Sequence, residues 1–235
     1  MNPPHGRGRA VPVVALLLMA AIFVALGVWQ VQRRAWKHAL IAAVEQRTHA
    51  APVAPPGPAQ WAGVNAQADA YRRVRVTGHY LTGRDTRVRA VTDLGAGYWV
   101  MTPLDTGPFR ILVNRGFVPQ ATPAAPPPAG TVGVTGLLRV TEPRGGFLRS
   151  NDPAADRWYS RDVAAIAAAR GLTRAAPYFI DADATAGPPY PRGGLTVVHF
   201  PDNHLVYALT WFTMAAASLG GAWRLGRQGA LLRGR

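Results

Sequence analysis

Residues 10–29 read AVPVVALLLMAAIFVALGVW, 20 consecutive positions without a charged or strongly polar side chain. At about 1.5 Å per residue, that length crosses a hydrocarbon layer of roughly 30 Å. Residues 205–223, LVYALTWFTMAAASLGGAW, form a second uncharged run of 19, diluted by Thr210, Thr213, Ser218, Gly220 and Gly221. The stretch between them, roughly 170 residues, is ample for a packed core. The two runs predict an α+β membrane protein. Transmembrane helices near each end flank a β-rich extracytoplasmic domain carrying one or two short helices. The expected boundaries are a cytoplasmic tail over 1–9, a first span over 10–31, the β-rich domain over 32–202, a second span over 203–223 and a tail over 224–235. The first run reads as an uncleaved anchor. Its apolar stretch exceeds the ~7–15 residues of a signal-peptide core, and Gln30-Val31-Gln32-Arg33-Arg34 follows it in place of a small-x-small cleavage site.

Charge fits that topology. The net charge is +14, and Lys37 is the only lysine among 26 basic residues. All 12 acidic residues fall between Glu45 and Asp202. Residues 45–202 are therefore only mildly basic, while the tails carry Arg7, Arg9, Arg224, Arg227, Arg233 and Arg235 with no acidic residue. Basic tails beside apolar spans predict both termini in the cytoplasm. No basic stripe coincides with a nucleic-acid-binding motif, so no nucleic-acid partner is expected. With no cysteine in the chain, disulfides, C-x-x-C redox pairs and covalent c-type haem attachment are excluded.

Between the spans, local pattern predicts the elements. Trp36, Leu40, Ala43, Val44 and Arg47 keep helical spacing, so the first helix continues beyond the membrane until the Pro/Ala-rich linker over 50–59. Strands are predicted over 71–80, 97–104, 109–118 and 131–140, with shorter candidates over 178–181 and 195–198. A helix follows Ser160 as N-cap, with Asp162 in its first turn and Gly171 as its stop. Two small-residue repeats, Ala216-x-x-x-Gly220 and Ala217-x-x-x-Gly221, lie in the second span, and Ala21-x-x-x-Ala25 lies in the first. They suit close packing of the two spans on each other, or docking on another membrane protein.

The chain offers little for catalysis. There is no G-x-S-x-G, no H-E-x-x-H and no phosphate-binding glycine loop, and the acidic residues are scattered singly. Enzyme chemistry is not expected. His204 is the leading site candidate, because it stands where a polar segment enters the second span. One reading is a hydrated interfacial imidazole. The other is a metal ligand, with His204, Tyr207, Ala208 and Trp211 on one helix face suited to a flat macrocycle. Neutral imidazole is the form that ligates haem iron.

The stretches GVWQVQRRAWK (27–37), GYWVMTPL (97–104), VNRGFVP (113–119) and NHLVYALTWF (203–212), four in chain order, are similar to motifs of the Surfeit locus protein family of cytochrome c oxidase assembly factors. Gly27-Val28-Trp29-Gln30-Val31-Gln32-Arg33-Arg34-Ala35-Trp36-Lys37 resembles its G-x-W-Q-x-x-R-x-x-W-K signature. Val113-Asn114-Arg115-Gly116-Phe117-Val118-Pro119 resembles its V-N-R-G-W-V-P strand, with Phe117 in place of tryptophan. Asn203-His204-Leu205-x-Tyr207-Ala208-x-Thr210-Trp211-Phe212 resembles the start of its second span, with Asp202 where an asparagine is common. Gly97-Tyr98 and Thr102-Pro103-Leu104 are similar to a further stretch.

The resemblance implies an assembly factor for haem-copper cytochrome c oxidase, one that binds haem a non-covalently and assists its insertion into subunit I. A haem-free scaffold holding oxidase subunits is the alternative. It implies His204 as axial ligand to the haem iron, with Tyr207 and Trp211 beside the macrocycle. Arg115 is then either a partner for a haem propionate or a structural ion partner. The implied partners are subunit I and membrane lipids, with haem a synthase a further candidate. The first span begins within ten residues of the N-terminus, which favours a bacterial member in the inner membrane over a mitochondrial one.

Overall fold

A computed structural model describes residues 7–146, 148–185, 187, 189–196 and 202–231. The chain forms two compact units, one of residues 1–43 with 199–235 and one of residues 44–198.

The first unit is a helical hairpin. Helix α1 covers Arg7–His49, and a helix near the C-terminus covers His204–Leu231. The contacts between them run in opposite directions along the chain. Leu16 approaches Gly221, Phe23 meets Trp211, and Gln30 meets His204, so the helices are antiparallel. Among the less exposed positions of α1 are 16, 20, 23, 27, 30 and 34, at alternating steps of three and four. On the C-terminal helix they are 204, 208, 211, 215, 218 and 222. This is the period-3.5 seam of two helices packed side by side. Small residues dominate it: Ala20, Gly27, Ala208, Ala215, Ser218 and Ala222 are buried. A Cβ on Gly27 would lie 2.6 Å from the Phe212 ring, so the missing side chain is what lets that ring settle. The spans do pack on each other, but in a different register from the small-residue repeats read in the sequence. Ala216, Ala217 and Gly220 face outward, as do Ala21 and Ala25, while Gly221 borders Leu16.

The second unit begins with the last turn of α1, where Val44 is buried and Arg47 donates to the Gln67 carbonyl at 2.8 Å. A short helix α2 (Ala66–Asp69) precedes the strands. These are β1 (Arg73–Tyr80), β2 (Thr86–Thr92), β3 (Gly95–Asp105), β4 (Arg110–Pro119), β5 (Thr131–Val140) and, after helix α3 (Val163–Ala169), β6 (Ala175–Ala182). The C-terminal helix is α4. The sheet order is β1-β5-β6-β4-β3-β2, and β1 also pairs with β3 through His79 and Tyr80 opposite Asp105 and Leu104. Five strands therefore close a ring, and β2 hangs outside it on β3. All neighbours are antiparallel except β4 and β6. Closure depends on Gly78, where a Cβ would lie 2.4 Å from the Asp105 carbonyl oxygen.

Alternation along the strands builds two cores. Val74, Leu104, Ile111, Val113, Leu138, Tyr178 and Ile180 fill the ring. Leu112 and Phe179, on the opposite faces of β4 and β6, pack with Val88, Met101, Trp158 and Ile166 of α3. Three local readings differ from the structure. Strand β2 carries the Thr86-Arg87-Val88-Arg89 alternation, to which the sequence reading assigns no strand. The N-cap of α3 is Asp162, which accepts from the Ala165 N–H at 3.1 Å. Ser160 is drawn away, because its hydroxyl accepts from Gly145 N and Asn151 Nδ2. Leu195 and Thr196 are irregular, and Val197 and Val198 lie outside the described residues.

Candidate functional site

His204 opens α4, and the residues before it fix its position. Asp202 Oδ1 accepts from the His204 backbone N–H at 3.1 Å, satisfying one of the donors that a helix start leaves bare. Its other oxygen, Oδ2, is 2.6 Å from His38 Nε2 and 3.4 Å from Arg34 Nε on α1. The hydrogen bond from His38, with lesser help from the His204 N–H and the Arg34 charge, holds the Asp202 carboxyl below its ordinary range.

The His204 ring is oriented by the first helix. Nδ1 lies 2.8 Å from Gln30 Oε1. With the amide oxygen as acceptor, Nδ1 carries the proton and Nε2 keeps its lone pair, the arrangement found in metal-bound histidines. Among the described residues Nε2 has no hydrogen-bond partner. His204, Leu205 and Ala208 of α4, with Val31, Arg34, Ala35 and His38 of α1, line a crevice of about 300 Å³. That lies at the small end of the roughly 300–1,000 Å³ range of ligand pockets.

Among the described residues no group of three His, Cys, Asp or Glu side chains is placed to hold a metal ion. A bare ion would lack donors here. A metal arriving with its own in-plane donors needs only one imidazole and apolar walls, and this crevice has both. In donor chemistry, one imidazole beside apolar side chains at the mouth of the crevice is compatible with a haem iron.

The other residues read as site candidates are dispersed. Tyr207 is 54% exposed and turned off the helical seam. Trp211 lies on the seam, but its ring stacks on Phe23 at 5.7 Å, and neither residue lines the crevice. Arg115 belongs to the β unit. Its NH2 donates to the carbonyls of Ala125 and Pro126 at 2.9 and 3.0 Å, and its guanidinium lies 5.7 Å from the Tyr80 ring centre. Its NH1 is buried without a hydrogen bond among the described residues. Burial lowers its pKa, opposed by the charges of Asp85 and Tyr80. Its neighbours in the strand have structural work. Asn114 Nδ2 donates to Asp181 at 2.8 Å. Gly116, at φ 130°, lets the Arg192 backbone approach to where a Cβ would be 2.2 Å away. Gln30, Arg34 and His38 were not assigned a role by sequence. Gln30 and Arg34 sit inside the first quoted motif, and only the hairpin register brings them to a histidine 174 positions away.

A model of the SURF1 family matches residues 17–216. The chain belongs to the SURF1 family. It is 38% identical over 228 residues to Surfeit locus protein 1 of Mus musculus, covering 86% of this chain and 72% of the mouse protein. The corresponding human protein is 36% identical over 229 residues, covering 86% and 73%. A SURF1-like protein of Monosiga brevicollis is 38% identical over 229 residues, covering 87% and 84%. In this SURF1 family chain, two of the motifs quoted from the sequence meet in space: Gly27 lies under Phe212, and Gln30 holds His204.

Proposed function

We propose that this chain is a membrane-anchored assembly factor for haem-copper cytochrome c oxidase, which holds haem a at His204 and assists its insertion into subunit I. The observation that carries the haem reading is the Gln30–His204 hydrogen bond at the edge of the apolar crevice. Family membership supports the assembly role. The membrane setting is supported by two helices long and apolar enough to span a bilayer. It is also supported by outward-facing Val11, Leu18, Ile22 and Leu209, and by exposed Trp29, Trp36 and Trp223 rings suited to the headgroup level. Arg224 and Arg227 following the second span support a topology with both termini in the cytoplasm and the β unit outside the inner membrane.

His204 Nε2 would hold the haem iron, and Gln30 fixes the tautomer that leaves that nitrogen available. Asp202 caps the helix on which the ligand stands. Val31, Ala35, Leu205 and Ala208 give the crevice beside the imidazole its apolar lining. When bound, the haem supplies the redox iron that the oxidase requires. The test is an optical spectrum of the chain purified from cells making haem a. Wild type should carry a haem band, which His204→Ala abolishes and Gln30→Leu weakens. A band indifferent to His204 would end the ligand assignment.

The outward-facing row of Ala216, Ala217 and Gly220 favours a second reading, a haem-free scaffold that docks on a partner's helix. In that case His204→Ala should still support oxidase assembly, and Ala217→Leu with Gly220→Leu should not.

A further inference from the structure

The crevice beside His204 has a polar wall as well as an apolar one. Gln30, Arg34 and His38 follow one another at four-residue steps, so they stand in a row along one face of α1. Gln30 holds the imidazole, and the next two line the crevice. Arg34 is incompletely satisfied there. Its Nε lies 3.4 Å from Asp202 Oδ2 but is not aimed at it, and it is buried with no hydrogen bond among the described residues. His38 takes the same carboxylate oxygen at 2.6 Å. The neighbouring Arg33 guanidinium lies over the Trp36 ring at 4.1 Å. The Arg34 side chain as a whole is 41% exposed, and a partly exposed guanidinium beside an apolar slot suits a ligand with a hydrocarbon body and a carboxylate edge, because Arg pairs with carboxylates by directed, charge-assisted hydrogen bonds.

Resting on the haem reading above, we propose that Arg34 receives a propionate carboxylate of the haem held at His204, and that Asp202 is an internal carboxylate competing for the same cation. Two opposite effects follow. Loss of the Arg34 charge removes the preference for a ligand with free carboxylates. Loss of the Asp202 charge strengthens that preference. Asn at 202 still offers an oxygen to the His204 N–H, so the helix cap survives the change.

The test uses the full-length chain in detergent micelles, titrated with ferric haemin and separately with haemin dimethyl ester, whose carboxylates are blocked. The readout is the ratio of the two dissociation constants from the Soret band. Comparing that ratio between variants cancels ligand partition into detergent. Arg34→Gln should reduce the preference for haemin about tenfold, the scale of one charge-assisted hydrogen bond. Arg34→Lys should keep part of it, and Asp202→Asn should raise it. An Arg34→Gln ratio equal to wild type overturns the proposal, and so does a fall in the ratio for Asp202→Asn. A misfolded variant cannot imitate the rise. The parent reading fails separately, through a Soret band that His204→Ala leaves unchanged. A band that depends on His204 while the ratio ignores Arg34 removes the propionate assignment alone. Absence of haemin binding by wild type overturns both.

Discussion

Asp181 is a carboxylate only 4% exposed, with four side-chain donors around it. Asn114 reaches it at 2.8 Å, Arg139 at 2.9 Å, Thr196 at 3.0 Å and Arg161 at 3.1 Å. Burial works against the Arg161 charge, but Asp181 and Glu142 together outweigh it and raise its pKa. Removing one partner from such a cluster strands the others. Asp181→Ala should therefore cost about 3–5 kcal/mol, measurable by denaturant unfolding. A loss below about 1 kcal/mol would mean the arginines find other partners. Tyr80 gives a pH signature. Burial pushes its hydroxyl up to about 12, with Arg115 pulling the other way and Asp85 assisting. The unfolded chain ionises near the ordinary 10 and the folded chain does not. The stability tied to this group is full below pH 10 and lost as pH rises towards 12. Tyr80→Phe should flatten the alkaline fall of the melting temperature in that window. An unchanged slope would show that the hydroxyl already reaches solvent. At this scale the sequence marked His204 through its place at the head of an apolar run. It did not mark Arg34 or His38, which look like ordinary cations beside a span until a partner helix surrounds them.

The helices and strands follow their patterns to different degrees. Helix α1 runs on to His49 as its apolar spacing predicts, and β5 matches its reading residue for residue. The hairpin seam was less legible, because a run that is apolar all round does not reveal which stripe meets a partner. Small-residue spacing alone pointed to Ala216, Ala217, Gly220 and Gly221; of these only Gly221 borders α1, and Ser218 and Ala222 are the buried seam positions. The register can be tested directly in a chain without cysteine. Leu16→Cys paired with Gly221→Cys should form a disulfide on mild oxidation, since a Cβ at 221 would lie 3.4 Å from the Leu16 side chain. Leu17→Cys with Gly220→Cys, both facing outward, should not. Adding Gly27→Leu to the first pair should suppress its cross-link, because the larger side chain must displace Phe212. Equal cross-linking of the two pairs would refute the seam.

Closure of the β ring belongs to the whole chain and was not written in any one segment. The β1–β3 contact joins residues about 25 apart, and the parallel β4–β6 pairing joins segments separated by a loop, a strand and a helix. Local alternation shows that a strand forms but not its neighbour, which is why β-rich was legible and the ring was not. The ring carries a consequence for topology. On the proposed reading, in which α1 and α4 both cross the bilayer and the basic tails stay in the cytoplasm, the β unit would lie on the opposite side. Val91, on the outer strand β2, is 87% exposed and so is a clean reporter. In intact spheroplasts, Val91→Cys should react with a membrane-impermeant maleimide, and a cysteine at Arg233 should react only after lysis. The cysteine-free background makes each label unambiguous. Labelling of the Arg233 position in intact cells, or protection of position 91, would invert the orientation.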